Sequence, residues 1–387
     1  MTSATDRRFW VLAALVYATL IYSTSLHLTI GTERTVDLSY FTRGAPAPMA
    51  GLASDFPDLG GWRGSEETAA RWRDQALRDT FPPDIWKLSS AWPDAAYYLL
   101  QTESPERSIP PYRYRVLAPT LVGTISRLLG VWPAPVFAIV NALLTLATAV
   151  LFTAYLRTTI DLPPLLCLTG GVLFVTLLSN TSSVGFPLLE PGSMFFMMLV
   201  VMALARRSVW LFCLASVLGV ATKEILLVAA PLWFLNTIEV RSKSMRQWAF
   251  CLLPATIPVL ALIGLRRSLG GGVLEVNYGY NVAAGQFPIQ YLARLADPVS
   301  LLVLLAEVFA AFGFLWLGVF NLRRHPFLWR NALLIVLVVG ATTVLSGRMI
   351  RPLGIAFPIL IPGFLLFFTP RDPGSGSASL TPEERIR

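Results

Sequence analysis

Long apolar runs dominate this sequence and constrain its fold more strongly than any other feature. A helix needs ~20 apolar residues to cross a bilayer, and most of the runs approach that length. The runs are Phe9–Ile30, 132–156, 162–180, 191–205, 208–221, 225–240, 248–265, 299–322, 331–347 and 352–368. Only 14% of the 387 residues are charged, against roughly 25% in soluble domains. The pattern therefore predicts an all-α polytopic membrane protein with about ten transmembrane helices.

The basic residues predict how such a chain is oriented. Arg7 and Arg8 precede the first run, which is too long for a signal-peptide core and is interpreted as a retained anchor. Later basic residues fall in every second loop, at Arg157, Arg206, Arg207, Arg241, Lys243, Arg246, Arg323, Arg324, Arg330 and Arg371. Short cytoplasmic loops are enriched in Lys and Arg, so we expect both termini in the cytoplasm of a bacterium, with the protein in its cytoplasmic membrane. These loops account for the net charge of +8, and no nucleic-acid partner is expected.

The first outer loop, 31–130, is predicted to form short helices outside the membrane and to end in an interfacial helix. Segment 116–129 is too short to span a bilayer. Its apolar side holds Leu117, Leu121, Ile125 and Leu128, and its polar side holds Thr120, Thr124 and Arg127. This two-sided pattern is typical of a helix lying flat in the membrane interface.

The predicted membrane domain covers residues 1–368, and the tail, 369–387, is expected to be a disordered cytoplasmic segment because it is rich in Ser, Gly and Pro. All three cysteines lie within apolar runs, which excludes a disulfide framework in an exported loop. The two histidines have no neighbouring ligand set, so a zinc site is not expected. Any metal would be a hard cation held by carboxylates.

Asp94 is a candidate general base in the first outer loop. It follows Trp92-Pro93 and precedes Tyr97-Tyr98. A carboxylate held among aromatic rings is desolvated, which raises its pKa toward a value useful in proton transfer. The alternative is that Asp94 caps a helix beginning at Ala95, and the two roles can coexist.

Arg113 and Arg115 are candidate phosphate ligands. They alternate with Tyr112 and Tyr114 immediately before the interfacial segment. A guanidinium binds phosphate through two hydrogen bonds and is weakly hydrated, which suits a lipid phosphate at headgroup depth. The alternative is an interfacial anchor in which Tyr and Arg extend toward water.

Lys223 and Glu224 form a charged pair of neighbours within apolar sequence. They lie between the short runs 208–221 and 225–240, at the tip of a predicted hairpin that turns inside the protein. Charges at membrane depth are costly and usually functional, although such charges also pair with each other. We expect a functional role here.

Arg348 and Arg351 flank the predicted outer turn between the last two apolar runs, against the positive-inside trend. An anion therefore has to offset them. Glu190 is one candidate partner, which would make a structural ion pair, and an anionic substrate is the other.

Several of these features together resemble the GT-C-type superfamily of membrane glycosyltransferases. The resembling features are a cytoplasmic N-terminus and a large first outer loop that contains Asp94. Three stretches add to the resemblance: PYRYRVLAPTL at Pro111–Leu121, ATKEILLVAAPLWFL at Ala221–Leu235 and GRMIRPLGIAFPIL at Gly347–Leu360. The sequence departs from well-marked members because it has no adjacent paired acids in the first loop, and Asp37 remains a rival to Asp94. It also lacks a soluble C-terminal domain.

The resemblance implies roles for the candidate residues. Asp94 would activate an acceptor hydroxyl, and Glu224 would orient Lys223 or a metal. The groups around the phosphate of a polyprenyl-phosphate donor would be Tyr97, Arg113, Arg115, Lys223, Arg348 and Arg351. A divalent cation, Mg²⁺ or Mn²⁺, takes part in some such enzymes. Transfer in a single in-line displacement would invert the sugar carbon.

We therefore expect a glycosyltransferase that moves a sugar from a polyprenyl-phosphate carrier to a lipid, glycan or protein acceptor on the outer face. One alternative is a transporter or flippase of an anionic lipid or sugar. Transporters are often built from inverted repeats with charges at the midplane, whereas this chain has no evident repeat and its candidate charges gather on one side. Another alternative is a polysaccharide polymerase or ligase, which would use similar outer arginines.

Overall fold

The computed structural model describes most of the predicted membrane region as helix. The described residues are 4–30, 98–99, 101–102, 105, 112–131, 133–180, 188–238, 244–270, 298–345 and 350–370. Every regular element within these ranges is helical, which agrees with the predicted all-α class. Asp37, Asp94, Tyr97, Arg348 and the tail from 371 lie outside the described residues.

Thirteen α-helices follow one another in the described chain. They are α1 Ala4–Ile30, α2 Leu117–Leu129, α3 Pro133–Thr158, α4 Pro164–Asn180, α5 Glu190–Arg206, α6 Val209–Thr222, α7 Ala229–Thr237, α8 Met245–Ser268, α9 Pro298–Phe312, α10 Pro326–Arg330, α11 Leu333–Leu345, α12 Ile350–Leu353 and α13 Phe357–Leu365. Short 3₁₀ helices connect several of them, at Tyr112–Tyr114, Glu224–Val228, Gly313–Arg324, Gly354–Ala356 and Leu366–Phe368.

Three of the described helices are long and apolar enough to cross a membrane. They are Pro133–Thr158, Met245–Ser268 and Leu301–Arg324, the last of which combines part of α9 with the 3₁₀ helix after it. Shorter apolar helices accompany them, among them α6 and the segment Glu224–Thr237. These lengths and compositions support a helical membrane protein.

Aromatic and small residues pack the centre of the bundle. Phe357 of α13 lies 5.0 Å from Phe152 of α3 and 4.5 Å from Phe174 of α4, measured between ring centroids. The Tyr17 hydroxyl of α1 lies 2.6 Å from Thr153 Oγ1 in this core, so the two buried hydroxyls are hydrogen-bonded to each other. Gly171 is required there, because a Cβ atom at that position would lie 2.0 Å from the same hydroxyl.

The outward faces of the helices are apolar. Large hydrophobic side chains are exposed along α8, α9 and the 3₁₀ helix after α9, and they include Leu253, Leu260, Leu302, Phe309, Phe314 and Phe320. Soluble monomers rarely expose contiguous apolar surface of this extent, whereas a bilayer provides an apolar environment for it.

Contacts between helix ends define one end of the bundle, here called the basic end. Arg157 at the end of α3 lies over the Phe9 ring near the start of α1, 5.4 Å from its centroid. Arg324 donates to the Thr369 carbonyl 3.2 Å away, after α13, and the Asn236 amide donates to Asn331 Oδ1 at 2.7 Å. The starts or ends of α1, α3, α7, α10 and α13 therefore meet at the basic end.

Helix α2 has the predicted bounds but a different packing face. Its buried residues are small, among them Ala118, Val122, Gly123 and Ser126. A Cβ atom at Gly123 would lie 2.6 Å from the Thr102 carbonyl oxygen, so the chain before α2, called the outer segment because the sequence predicts it outside the membrane, crosses α2 at this glycine. Of the leucines expected to form its apolar side, Leu121 and Leu128 are exposed, by 48% and 79%, whereas Leu117 is partly buried against the core.

Candidate functional site

Charged side chains meet where several helices begin or end, far from the basic end. Arg115 lies two residues before the start of α2, Glu190 is the first residue of α5, and Arg266 lies in the last turn of α8. The 17 residues of α5 separate Glu190 from Arg206 by about 25 Å at 1.5 Å per residue. We call the set Tyr98, Arg115, Glu190, Lys223 and Glu224 the charged network.

The extended backbone at Lys223 directs the side chains of Lys223 and Glu224 toward different elements of the structure. Lys223 ends α6 in an extended conformation, with φ −162° and ψ 130°, and Glu224 begins the 3₁₀ helix after it. Successive residues of extended chain point to opposite sides. The chain thus turns within the 222–224 stretch that the sequence placed at a hairpin tip.

Arg115 and Glu224 form a bidentate ion pair. Arg115 Nε lies 2.9 Å from Glu224 Oε2, and Arg115 Nη2 donates to Oε1 at 3.1 Å. The side chains are only 10% and 21% exposed. Arg115 Nη1 also donates to the Tyr98 hydroxyl at 2.6 Å. This fork geometry is the strong and directional form of an arginine–carboxylate pair.

Lys223 pairs with Glu190 instead of with Glu224. Lys223 Nζ lies 2.8 Å from Glu190 Oε1, and the two side chains are 14% and 5% exposed. Glu190 also lies in the first turn of α5, where the helix dipole favours a carboxylate. Both oxygens of Glu224 accept from Arg115, so the expectation that Glu224 orients Lys223 stays a prediction.

Tyrosine rings surround the guanidinium groups of the outer segment. Tyr98 and Tyr112 meet edge to face at 5.4 Å, and Arg115 lies 5.5 Å from the Tyr112 ring centroid. Arg266, which is buried, lies 5.3 Å from the Tyr114 centroid. A guanidinium over an aromatic face is stabilised by the ring quadrupole. The tyrosine rings and guanidinium groups of this alternating Tyr-Arg sequence are therefore packed against neighbouring side chains.

Arg113 connects the outer segment to the end of α8. Its Nη1 donates to the Leu269 carbonyl at 3.4 Å, and its own carbonyl accepts from Gln101 Nε2 at 3.4 Å. Arg113 is half-buried, and Arg266 belongs to the same turn of α8 that ends before Leu269. Two guanidinium groups thus converge near the end of α8.

The charges of the network keep Glu224 ionised. Burial raises the pKa of Glu224, but the charge and hydrogen bonds of Arg115 outweigh burial and hold this pKa below its ordinary value of 4.5. A carboxylate whose pKa is low and whose two oxygens accept from an arginine is a poor proton acceptor. Glu224 is therefore suited to holding Arg115 in place and not to acting as a general base.

The described residues do not fit a divalent cation. No group of three or more His, Cys, Asp or Glu side chains gathers within the described ranges. Mg²⁺ and Mn²⁺ prefer oxygen ligands such as carboxylates. The carboxylates of Glu190 and Glu224 each bind a basic side chain instead.

The remaining predicted site residues are placed by the structure only in part. Asp94, its rival Asp37, Tyr97 and Arg348 lie outside the described residues. Arg351 belongs to the short helix α12, of which the backbone is described. The structure thus brings together Arg113, Arg115, Lys223 and Glu224, and it adds Tyr98, Glu190 and Arg266 to them.

Comparisons with protein-family models, curated proteins and solved structures found no match for this chain. Its function therefore has to follow from the geometry of the charged network and of the helices that hold it.

Proposed function

We propose that this chain is a membrane glycosyltransferase of about ten spans that moves a sugar from a polyprenyl-phosphate donor to a lipid, glycan or protein acceptor. The observation that carries this proposal is the charged network, a partly buried set of ion pairs at one end of an otherwise apolar bundle. Ionisable groups at membrane depth are costly and are retained where they serve function. A lipid-linked phosphate is a ligand that reaches this depth.

The charged network faces the outer side in this proposal. The basic end carries Arg157, Arg323 and Arg324, with Arg206 about one helix length from Glu190. Short cytoplasmic loops attract such residues, so the basic end is cytoplasmic. Helix α2 supports a position of the charged network near the membrane surface. Its exposed leucines can enter lipid while Thr120, Thr124 and Arg127 face water.

The arginines divide into two roles. Arg115 is committed to Glu224 and Tyr98, so we assign it to holding the outer segment against the hairpin. Arg113, with Arg348 and Arg351, is assigned to the donor phosphate, and Lys223 adds positive potential beside it. As the bond between sugar and phosphate breaks, negative charge grows on the leaving phosphate, and preorganised cations stabilise it.

Asp94 is the proposed base. It precedes Tyr98 by four residues, and four residues of extended chain reach at most ~14 Å. The anchored Tyr98 therefore keeps Asp94 within reach of the network. Asp94 takes the proton of an acceptor hydroxyl, the oxygen forms a bond to the sugar carbon, and the carrier phosphate leaves with the electron pair of the broken bond.

Native mass spectrometry of the purified protein tests this proposal. We expect a polyprenyl phosphate or its glycosylated form to co-purify and to be lost in Arg113→Ala. Arg206→Ala is the matched control, because Arg206 is exposed at the other end of α5. Retention of ordinary phospholipid alone, with no difference between the two variants, would contradict the proposal.

A transporter or flippase is the second candidate, and one observation favours it. The span Leu301–Arg324 is interrupted, since α9 ends at Phe312 and Gly313 adopts φ +52°. The Trp316 indole then donates to the Val308 carbonyl at 2.7 Å. Interrupted helices mark binding sites in many transporters. Movement of a labelled anionic lipid across vesicles without cleavage of its sugar bond would favour this candidate, and extension to a long glycan would favour a polymerase.

A further inference from the structure

The 3₁₀ helix Gly313–Arg324, which continues the span that begins in α9, is unusually long. It has 12 residues, whereas 3₁₀ runs beyond about three or four residues are uncommon. A 3₁₀ helix has ~3.0 residues per turn, so side chains three positions apart lie directly above one another. Its side chains therefore form straight rows along the helix.

One of these rows faces the protein and contains Gly318, Asn321 and Arg324. Gly318 packs directly against the backbone of α13, where an added Cβ atom would clash with the Leu360 carbonyl oxygen. Asn321 is buried, and Arg324 donates to the Thr369 carbonyl. This row fixes the 3₁₀ helix against α13 and the chain after it.

A second row of the same helix faces outward, and we call it the exposed row. Its members are Phe314, Leu317, Phe320 and Arg323, all of which are exposed. The nine residue steps from Phe314 to Arg323 rise about 18 Å, at ~2.0 Å per residue. One leaflet of a bilayer has a hydrocarbon depth of ~15 Å, half of the full core. An acyl chain of one leaflet can therefore follow the exposed row along its length.

Trp329 supports the cation at the end of the exposed row. The guanidinium carbon of Arg323 lies 4.8 Å from the Trp329 ring centroid, and the indole is half exposed. Backbone hydrogen bonds hold the turn between them, with His325 N–H donating to the Leu322 carbonyl at 3.2 Å and Trp329 N–H donating to the His325 carbonyl at 3.0 Å. The ring stabilises the charge of Arg323 but supplies no oxygen acceptor for its N–H groups.

Arg330 places a second positive charge beside the same indole. It follows Trp329 directly and is exposed. Within the described part of the chain, neither Arg323 nor Arg330 takes part in an ion pair. Trp is enriched where a membrane meets water, and basic residues at that depth attract acidic headgroups. The two arginines and the indole therefore match a lipid phosphate in charge and in depth.

We propose that the exposed row, with Trp329 and Arg330, binds one anionic phospholipid of the leaflet at the basic end. The acyl chain lies along Phe314, Leu317 and Phe320, and the headgroup phosphate accepts hydrogen bonds from Arg323. The bound lipid stabilises the interrupted span where it reaches the membrane surface. This site goes beyond the proposed function and does not depend on sugar transfer.

Native mass spectrometry in detergent tests the headgroup contact, with phosphatidylglycerol and phosphatidylethanolamine of identical acyl chains as probes. We expect the wild type to bind phosphatidylglycerol more tightly. Arg323→Gln should lower the affinity for phosphatidylglycerol by about 5-fold, the effect of one basic residue near a membrane surface. Trp329→Leu should also lower it, although the net charge is unchanged, because Arg323 then lacks its aromatic support.

Arg206→Gln is the matched control for charge. Arg206 is exposed at the same end of the bundle, in the last turn of α5 and outside the exposed row, so this variant should bind phosphatidylglycerol as the wild type does. Equal losses in Arg206→Gln and Arg323→Gln, together with wild-type binding by Trp329→Leu, would indicate diffuse attraction to the basic end and would overturn the site.

Phe320→Ala and Leu253→Ala test the path of the acyl chain. Both residues are exposed, Phe320 on the exposed row and Leu253 on α8. Phosphatidylglycerol should raise the unfolding temperature of the wild type and of Leu253→Ala, and it should raise that of Phe320→Ala less. Equal shifts in the two variants would contradict the proposed path. Neither measurement involves sugar transfer, so failure of the lipid site and failure of the proposed function remain distinguishable.

Discussion

At the scale of single residues, the contacts of Arg115 connect Tyr98 and Glu224 in the charged network. Its guanidinium uses three nitrogens, two toward Glu224 and one toward Tyr98, and only a tenth of the side chain is exposed. An exposed ion pair contributes ~0–1 kcal/mol, whereas removal of one partner from a fully buried pair costs ~3–5 kcal/mol. The partly exposed Arg115–Glu224 pair belongs between these limits.

Glu224→Gln should therefore lower the free energy of unfolding by about 2–3 kcal/mol, because it leaves the Arg115 charge poorly compensated. Chemical denaturation in detergent measures this loss. The lowered pKa of Glu224 adds a pH dependence to the wild type: the stabilisation is present above 4.5 and is lost as pH falls through the lower pKa of the folded state. An identical acid profile for wild type and Glu224→Gln would contradict the pair.

Tyr98→Phe removes only the hydroxyl that accepts from Arg115, so we expect a loss of about 1–3 kcal/mol in the same measurement. Tyr22→Phe is the matched control, since Tyr22 is 67% exposed in α1. Equal stabilities of the two variants would show that the Tyr98 hydroxyl does not anchor Arg115.

The sequence identified the charged residues more readily than their partners. Lys223 and Glu224 stand out because two charges interrupt apolar sequence. Their partners lie 33 and 109 residues away, and helix register decides that Tyr98 contacts the guanidinium.

At the scale of elements, α2 shows which features of a helix could be predicted from the sequence. Its bounds and its two-sided pattern could be predicted from apolar spacing. The packing face could not, because the outer segment requires close approach of backbone at Gly123 and so selects the small residues Ala118, Val122 and Ser126. Leu121 and Leu128 remain exposed, as a lipid-facing surface requires.

Gly123→Ala should loosen the outer segment from α2. The added Cβ would lie 2.6 Å from the backbone oxygen of Thr102, and backbone has little room to move away. Overpacking of this kind costs about 1–3 kcal/mol. We expect lower thermal stability and faster proteolysis within the first outer loop.

Gly264→Ala provides the control for this change. Gly264 lies inside α8 with no atom within 4 Å of the added Cβ, so alanine should be neutral or stabilising there. Equal proteolysis of the two variants would indicate that the outer segment does not pack on α2.

At the scale of the whole molecule, the separation of two kinds of charged surface supports the proposed orientation. The basic end and the charged network lie at opposite ends of α5 and α8, whose lengths of 17 and 24 residues are about 25 and 36 Å. The alternation of basic loops in the sequence predicts basic residues at one end of the bundle, where Arg157 and Arg324 lie. The break at Gly313 was harder to predict because it depends on tertiary packing, whereas the turn at Lys223 follows from charges that interrupt apolar sequence.

Cysteine labelling in intact cells tests the proposed orientation. Thr124→Cys on α2 and Ser244→Cys before α8 both replace exposed hydroxyl residues at opposite ends. A membrane-impermeant maleimide should label Thr124→Cys directly and Ser244→Cys only after the cells are opened, in a background without the native cysteines. The reverse pattern would place the charged network in the cytoplasm.

We propose transfer of sugar from a polyprenyl-phosphate carrier at the charged network. The most direct measurement is release of polyprenyl phosphate from glycosylated carriers by the protein in liposomes, with hexosyl and pentosyl donors supplied in parallel. We predict release by the wild type and by Arg206→Ala, and none by Asp94→Asn, which should still retain the donor. Intact carriers with the wild type, or equal release by Asp94→Asn, would contradict the account.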